Sequence, residues 1–138
     1  GYSDFRCLGC FLFPKMKISI KSLASNQNAQ VTSETDHWEQ MAKTPHFVPK
    51  YTLRTLGSIE DLVYSSKEVA PRITKPTLIL YPGKDVFTRP DQVDKFFGNL
   101  KSKDKKKHLF KESHHLLAFD KEKERLFEIV EQWINKRL

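Results

Sequence analysis

Cysteine is scarce in this sequence of 138 residues, and its spacing excludes two common uses. Two cysteines, Cys7 and Cys10, cannot build the disulfide framework that stabilises small secreted domains. They form a single Cys-x-x-Cys pair, whereas a structural zinc ion needs four ligands. We therefore expect ordinary thiols without a bound metal, and a reducing, cytoplasmic compartment.

Glycine is also scarce, and this limits the catalytic chemistry. The chain has five glycines, and no two of them flank a serine in a Gly-x-Ser-x-Gly motif. That motif places a nucleophilic serine on a tight turn between a strand and a helix, beside backbone amides that bind an oxyanion. A His-Gly-Gly segment, which can supply such amides, is absent as well. The 138 residues therefore contain no nucleophile elbow.

Long hydrophobic segments are missing too. The apolar run of residues 7–13 is far shorter than the roughly 20 residues that span a bilayer. It also lacks the preceding basic residues of a signal peptide.

Acidic residues are outnumbered, and the formal net charge is +7. Much of the excess lies in Lys101–Lys107. Such a run can bind an anionic partner, such as nucleic acid or acidic lipid, or it can be a solvated loop. Aromatic residues for base stacking are not interleaved with the lysines, and no nucleic-acid-binding motif accompanies them. We favour the solvated loop and expect no nucleic-acid partner.

The second half of the chain has the hydrophobic spacing of alternating strands and helices. The run Thr77–Tyr81 predicts a strand buried on both faces, and His108–Lys111 predicts a second, short strand. Apolar residues recur at helical intervals over Val93–Leu100 and again in a last helix, which we expect to begin near Asp120. This order is typical of an α/β fold with parallel strands and flanking helices.

Several finer features follow from the same spacing. Thr88, with Asp91 three residues later, is predicted to cap the helix that follows the first strand. Asp120 is predicted to cap the last helix. Apolar residues also recur at helical spacing from Tyr51 to about Lys67, which predicts a further helix.

Asp85 and His115 come after the two predicted strands, about thirty residues apart. The carboxyl ends of parallel strands meet at one edge of a sheet, where ligands gather. An aspartate and a histidine at that edge can be the second and third members of a Ser-His-Asp triad in the chain order Ser, Asp, His. The alternative for Asp85 is a turn aspartate that binds nearby amides. His114 competes with His115 for the role of base.

The arrangement of these motifs over Ile73–Leu138 resembles the C-terminal end of an α/β-hydrolase. It is most similar to the group of monoacylglycerol lipases, lysophospholipases and serine aminopeptidases. The resemblance implies a helical cap (lid) over residues 1–70, followed by the C-terminal part of the hydrolase core over residues 71–138. If this is correct, residues 7–13 are either a lid segment in peripheral contact with lipid or part of the core packing.

The resemblance also implies roles for individual residues. Asp85 would be the orienting acid and His115 the base, with His114 at a position where the family prefers glycine. The family's mechanism requires no metal and no organic cofactor.

The function implied is that of a serine hydrolase fragment that cleaves small-molecule carboxylic esters, such as monoacylglycerol or lysophospholipid, with the nucleophilic serine missing from this chain. The missing N-terminal half of the core would then be a partner. We expect the two later helices to cover one face of the half-sheet, and the isolated chain to be inactive and prone to aggregate. The alternatives are a non-catalytic half-hydrolase that serves as an interaction module and, with less support, a basic nucleic-acid-binding protein.

Overall fold

A computed structural model of the chain describes residues 10–19, 32–33, 39–40, 43–85 and 87–138. The chain divides into two compact units. The first unit comprises residues 1–29 and 45–67, and the second comprises residues 30–44 and 68–138. Cys7 and most of the predicted polar loop over residues 22–35 lie outside the described residues.

The first unit contains a small antiparallel sheet and most of a long helix. Strand β1 (Lys17–Ser19) pairs with β2 (Lys50–Thr52). Helix α1 (Leu53–Val69) follows directly, and the Thr52 hydroxyl accepts a hydrogen bond from the Thr55 amide at 3.2 Å, which satisfies one of the free amides at the start of the helix. The predicted helix is present, but none of its residues is buried among the described parts of the chain.

The second unit is built around two parallel strands. Strand β3 (Thr77–Pro82) pairs with β4 (Lys105–Phe110) along its whole length, with Thr77 opposite Lys105 and Pro82 opposite Phe110. Helix α2 (Pro90–Asn99) connects the strands, and helix α3 (Lys123–Asn135) follows β4. The predicted α/β class is therefore confirmed. None of the described helices is long and apolar enough to cross a membrane.

Helices α2 and α3 cover opposite faces of this sheet, so the prediction that both cover one face is wrong. Lys105 and Lys107 of β4 reach the Phe97 ring of α2, whereas the intervening Lys106 borders a cavity that is also lined by Ile129 and Trp133 of α3. Alternate residues of a strand point to opposite faces. The twelve-residue connection after β4 is long enough to carry the chain across to the second face.

The α3 face carries the best-buried core. Phe110 is completely buried and packs with Leu126 and Ile129 of α3, against Leu78 and Leu80 of β3. Burying a phenylalanine side chain contributes about 1.5–3 kcal/mol to folding. Because Phe110 is the last residue of β4, this contact also fixes the point at which the following loop leaves the sheet.

The lysine run does not form the predicted solvated loop throughout, because β4 begins at Lys105. The Lys105 ammonium donates to the carbonyl oxygens of Phe97 and Leu100 at 2.9 and 2.8 Å, at the C-terminal end of α2. Lys107 pairs with Asp94 of the same helix. Lysines are therefore accommodated in this strand because their ammonium groups bind carbonyl oxygens at the end of α2 and a carboxylate of the same helix.

Both helix starts were predicted slightly too early. Pro90 is the first residue of α2, and a residue before proline is driven out of the helical conformation, so Arg89 rather than Thr88 is the capping residue. The Arg89 amide donates to the Gln92 side chain at 2.9 Å. Helix α3 begins at Lys123 with Glu122 before it, so Asp120 does not cap the helix.

Candidate active site

The acidic side of the site is the loop after β3. The Asp85 side chain is 3% exposed, and its Oδ1 accepts a hydrogen bond from the Phe87 amide at 2.8 Å. This local bond is the turn contact considered from the sequence, but it occupies only one oxygen. The second oxygen, Oδ2, remains available to a partner outside the loop.

Gly83 allows this loop to lie directly against the end of β4. Its amide donates to the Phe110 carbonyl at 2.7 Å. A Cβ atom at this position would come within 2.8 Å of the Lys111 carbonyl oxygen and 2.9 Å of the Lys111 Cα. The requirement for glycine is therefore the close approach of two backbone segments, and not a left-handed backbone conformation.

His115 lies on the loop after β4, opposite Asp85. Its Nδ1 is 3.0 Å from Asp85 Oδ2, and its ring meets the Phe87 ring edge-to-face at 4.9 Å. The backbone joins the two loops as well, since the Lys84 amide donates to the Ser113 carbonyl at 3.0 Å. The structure thus brings together the two residues selected from the sequence.

The side chains of His115 and Asp85 differ in exposure. A base must be accessible to the group from which it takes a proton, whereas its orienting acid can be buried. The His115 side chain is 44% exposed, whereas Asp85 is almost completely buried. If Asp85 accepts the Nδ1 proton of His115, the imidazole is held with Nε2 unprotonated. An unprotonated Nε2 on a half-exposed ring can take a proton from a nucleophile or from water.

A second histidine–carboxylate pair lies next to the first. His114 Nδ1 is 3.0 Å from Asp120 Oδ2, and the His114 amide donates to the same oxygen at 2.7 Å. The His114 side chain is 13% exposed and that of Asp120 is fully buried. The family resemblance places a glycine at position 114, but the backbone does not require one here, because none of the described residues has a positive φ.

The Asp120 carboxylate collects further donors. Its Oδ1 accepts hydrogen bonds from the Ser33 hydroxyl and from the Lys121 amide, the latter at 2.8 Å. Burial raises the pKa of Asp120, but the hydrogen bonds from Ser33, from the His114 and Lys121 amides and from the His114 ring outweigh it and hold the pKa well below its usual range. Asp120 is therefore an ionised, buried anchor of the loop between β4 and α3, residues 111–122, which is called the histidine loop below.

Sequence reasoning missed this anchor and a second one. Glu122 Oε2 accepts hydrogen bonds from the Ser113 hydroxyl at 2.8 Å and from the Glu112 amide at 3.0 Å. Ser33 precedes Asp120 by 87 residues, and no local pattern links such distant positions. Asp120 itself does have a local signal, because it is a carboxylate shortly after a histidine pair, but that pattern equally suits a helix cap.

A cavity of about 200 Å³ lies elsewhere in the second unit, beside α3. Its lining is basic, with Lys106, Arg125, Lys136 and Arg137 around Trp133. Neither Asp85 nor His115 borders it. We place the candidate active site at Asp85 and His115 because ligands of parallel sheets bind at the carboxyl ends of the strands.

The described residues contain no group of three or more histidine, cysteine, aspartate or glutamate side chains arranged to hold a metal ion. Cys10 is a free thiol, and its Sγ donates to the Leu53 carbonyl at 3.1 Å.

Two solved structures resemble this chain over almost its whole length. The monoacylglycerol lipase of Paleococcus ferrophilus is 21% identical, with a TM-score of 0.78 over 94% of this chain and 49% of that one. A soluble variant of the monoglyceride lipase of Saccharomyces cerevisiae, in complex with a substrate analogue, is 18% identical, with a TM-score of 0.77 over 99% of this chain and 50% of that one.

A metagenome-derived lipolytic enzyme is 19% identical, with a TM-score of 0.52 over 79% of this chain and 53% of that one. A search of curated protein sequences found no match. The similar structures establish the α/β-hydrolase fold, of which this chain spans about half the length. Residues 8–122 match the family described as serine aminopeptidase, S33, and the chain therefore belongs to this hydrolase family.

Proposed function

We propose that this chain carries the acid and the base of a serine hydrolase that cleaves carboxylic esters. The observation that supports the proposal best is the hydrogen-bond distance of 3.0 Å between Asp85 Oδ2 and His115 Nδ1, at the carboxyl ends of two parallel strands. The membership in a hydrolase family and the fold shared with two monoacylglycerol lipases support it further.

The proposed reaction requires a serine from outside these 138 residues, because the chain has no Gly-x-Ser-x-Gly motif. The serine oxygen attacks the ester carbonyl while its proton passes to His115 Nε2. His115 then returns the proton to the oxygen of the leaving alcohol, and an acyl-serine remains. Water attacks the acyl group in the second half of the reaction, again with His115 as base. Asp85 holds the ring and stabilises the imidazolium.

The proposed substrate is a monoacylglycerol, a lysophospholipid or a similar small ester. Exposed apolar residues of the first unit support a peripheral contact with lipid: Phe11 is 79%, Leu12 55% and Phe13 61% exposed. Three adjacent apolar side chains of this kind fit a lid segment that touches a lipid surface. On this proposal, residues 1–70 form the cap and residues 71–138 belong to the core. The expected cytoplasmic location stays part of the proposal.

Fluorophosphonate labelling tests the proposal, because this probe reacts with activated serines. We expect no labelling of the 138-residue chain alone. A protein in which this chain is joined or mixed with a polypeptide that carries the nucleophile elbow should be labelled and should hydrolyse monoacylglycerol. Stoichiometric labelling of the isolated chain would contradict the claim that the serine lies elsewhere. A completed protein without labelling or turnover would favour the non-catalytic interaction module.

A further inference from the structure

The histidine loop needs support that His115 does not provide itself. His115 is half exposed, and its described contacts are to Asp85 and Phe87, which both belong to the neighbouring loop. A base held by two loops stays in position only if both are fixed, and small displacements of a catalytic group cost activity. The residue before His115 shows how its loop is fixed.

His114 is held at two points by a single carboxylate oxygen. Asp120 Oδ2 accepts from the His114 amide at 2.7 Å and lies 3.0 Å from the His114 Nδ1. The first contact fixes the peptide plane before His114, and the second fixes its side chain. With His114 held on the buried side of the loop, the adjoining His115 side chain is directed toward Asp85.

The other oxygen of Asp120 connects the loop to a distant part of the second unit. Oδ1 accepts from the Ser33 hydroxyl, from the Ser33 amide at 3.3 Å and from the Lys121 amide at 2.8 Å. Next to it, the Thr32 hydroxyl donates to the Phe119 carbonyl at 2.7 Å. Residues 32 and 33 therefore hold the loop at the end opposite His115.

We propose that Asp120 is a positioning residue for His115, acting through His114 and held in turn by Ser33, while Thr32 holds the adjacent Phe119 carbonyl. The inference rests on the proposed function only in that it takes His115 to be the base. The network orders the loop before any substrate binds, since all of its contacts lie within the chain. Asp120 itself is completely buried and is not a catalytic residue.

The test compares Asp120→Asn with the unchanged chain, using histidines labelled with nitrogen-15. An asparagine keeps the size of the side chain but loses the charge and one acceptor oxygen. Hydrogen exchange of the peptide covering residues 113–120 should accelerate about ten- to a hundredfold, as expected for the loss of charge-assisted hydrogen bonds. The nitrogen-15 shifts of His115 should also change from a form protonated at Nδ1 toward a mixture of tautomers.

Ser33→Ala is the milder second variant, because it removes one hydroxyl donor and leaves the carboxylate in place. We expect it to change the same two measurements in the same direction by a smaller factor. If Asp120→Asn does not fold, Ser33→Ala still tests the inference. Asp104→Asn is the matched control, since Asp104 receives two hydrogen bonds from Arg137 far from the loop and should leave the His115 tautomer unchanged.

An unchanged His115 tautomer in both Asp120→Asn and Ser33→Ala would overturn the inference and leave Asp120 with a purely structural role. Neither measurement needs a serine nucleophile. A protein that responds in both but has no hydrolase activity when completed would contradict the proposed function and leave the positioning role intact.

Discussion

His115 with Asp85 and His114 with Asp120 are two pairs with the same Nδ1–Oδ2 distance of 3.0 Å and opposite surroundings. The ring of the first pair is 44% exposed, and the ring of the second is 13% exposed. Distance alone therefore does not distinguish a candidate base from an anchor. Two other properties distinguish them. The first is whether the imidazole is exposed enough for Nε2 to reach a substrate. The second is whether the carboxylate mainly binds the imidazole or also binds several backbone and hydroxyl donors of the fold.

The division between the pairs also has a structural cause. Asp85 follows β3 and binds across to the neighbouring loop, so the first pair joins two strand ends. Asp120 lies in the same loop as His114 and gathers amide and hydroxyl donors around both oxygens. A carboxylate surrounded by backbone donors stabilises the conformation of its loop. A carboxylate that binds its own loop with one oxygen and an exposed imidazole with the other has the arrangement of an orienting acid.

The largest expected effect separates the two histidines in a completed hydrolase. His115→Ala should lower kcat by about three orders of magnitude or more, because the members of a triad act as a unit. His114→Ala should cost far less, since it removes a ring contact to Asp120 but keeps the amide bond. Steady-state hydrolysis of a monoacylglycerol would measure both. A lethal His114→Ala with a mild His115→Ala would reverse the assignment.

The second prediction concerns the support of Asp85. Gly83→Ala would place a methyl group against the Lys111 backbone, which cannot move away as a flexible side chain can. We expect the free energy of unfolding to fall by about 1–3 kcal/mol, the usual cost of overpacking. Gly98→Ala is the matched control, because a Cβ there meets nothing within 4 Å, and it should stabilise α2 by about 0.5–1 kcal/mol. Chemical denaturation of both variants would measure the difference. Equal stabilities would mean that the two loops are not in close contact.

The third prediction uses the charge of Asp120. Its pKa is lowered in the folded chain, so its contribution to stability is present above the unfolded value of about 3.9 and is lost as the pH falls below it. Stability should therefore decrease below about pH 4, with Asp120 contributing up to about 1.4 kcal/mol per pH unit. Asp120→Asn should remove that part of the slope, as measured by denaturation at several pH values. The same slope in both proteins would show that the Asp120 pKa is not lowered.

The sequence was sufficient to predict the parallel strands, the helices between and after them, and the pairing of Asp85 with His115. Thr77–Tyr81 could be recognised as a strand because it is an uninterrupted apolar run, but the expected burial on both faces is not observed, since residues 77–81 are only partly buried among the described residues. Lys105–Lys107 could not, because three lysines resemble a loop until α2 supplies Asp94 and two helix carbonyls as partners. The contact of Asp120 with Ser33 could not be predicted either, because a contact across 87 residues leaves no local pattern.

The smallest expected effect belongs to the exposed ion pair beside the site. Lys84 Nζ lies 2.5 Å from Glu112 Oε2 and joins the loop after β3 to the histidine loop, alongside the backbone bond from the Lys84 amide to the Ser113 carbonyl. The Lys84 ammonium lowers the pKa of Glu112.

Both side chains are well exposed, at 43% and 63%, so water and salt screen their attraction. Lys84→Met keeps the backbone bond and should leave the thermal midpoint unchanged within error at about 150 mM salt. Glu112→Gln is the matching change on the other partner and should behave alike. A clear loss of stability in both variants would mean that the side-chain pair, and not the backbone, holds the two loops together.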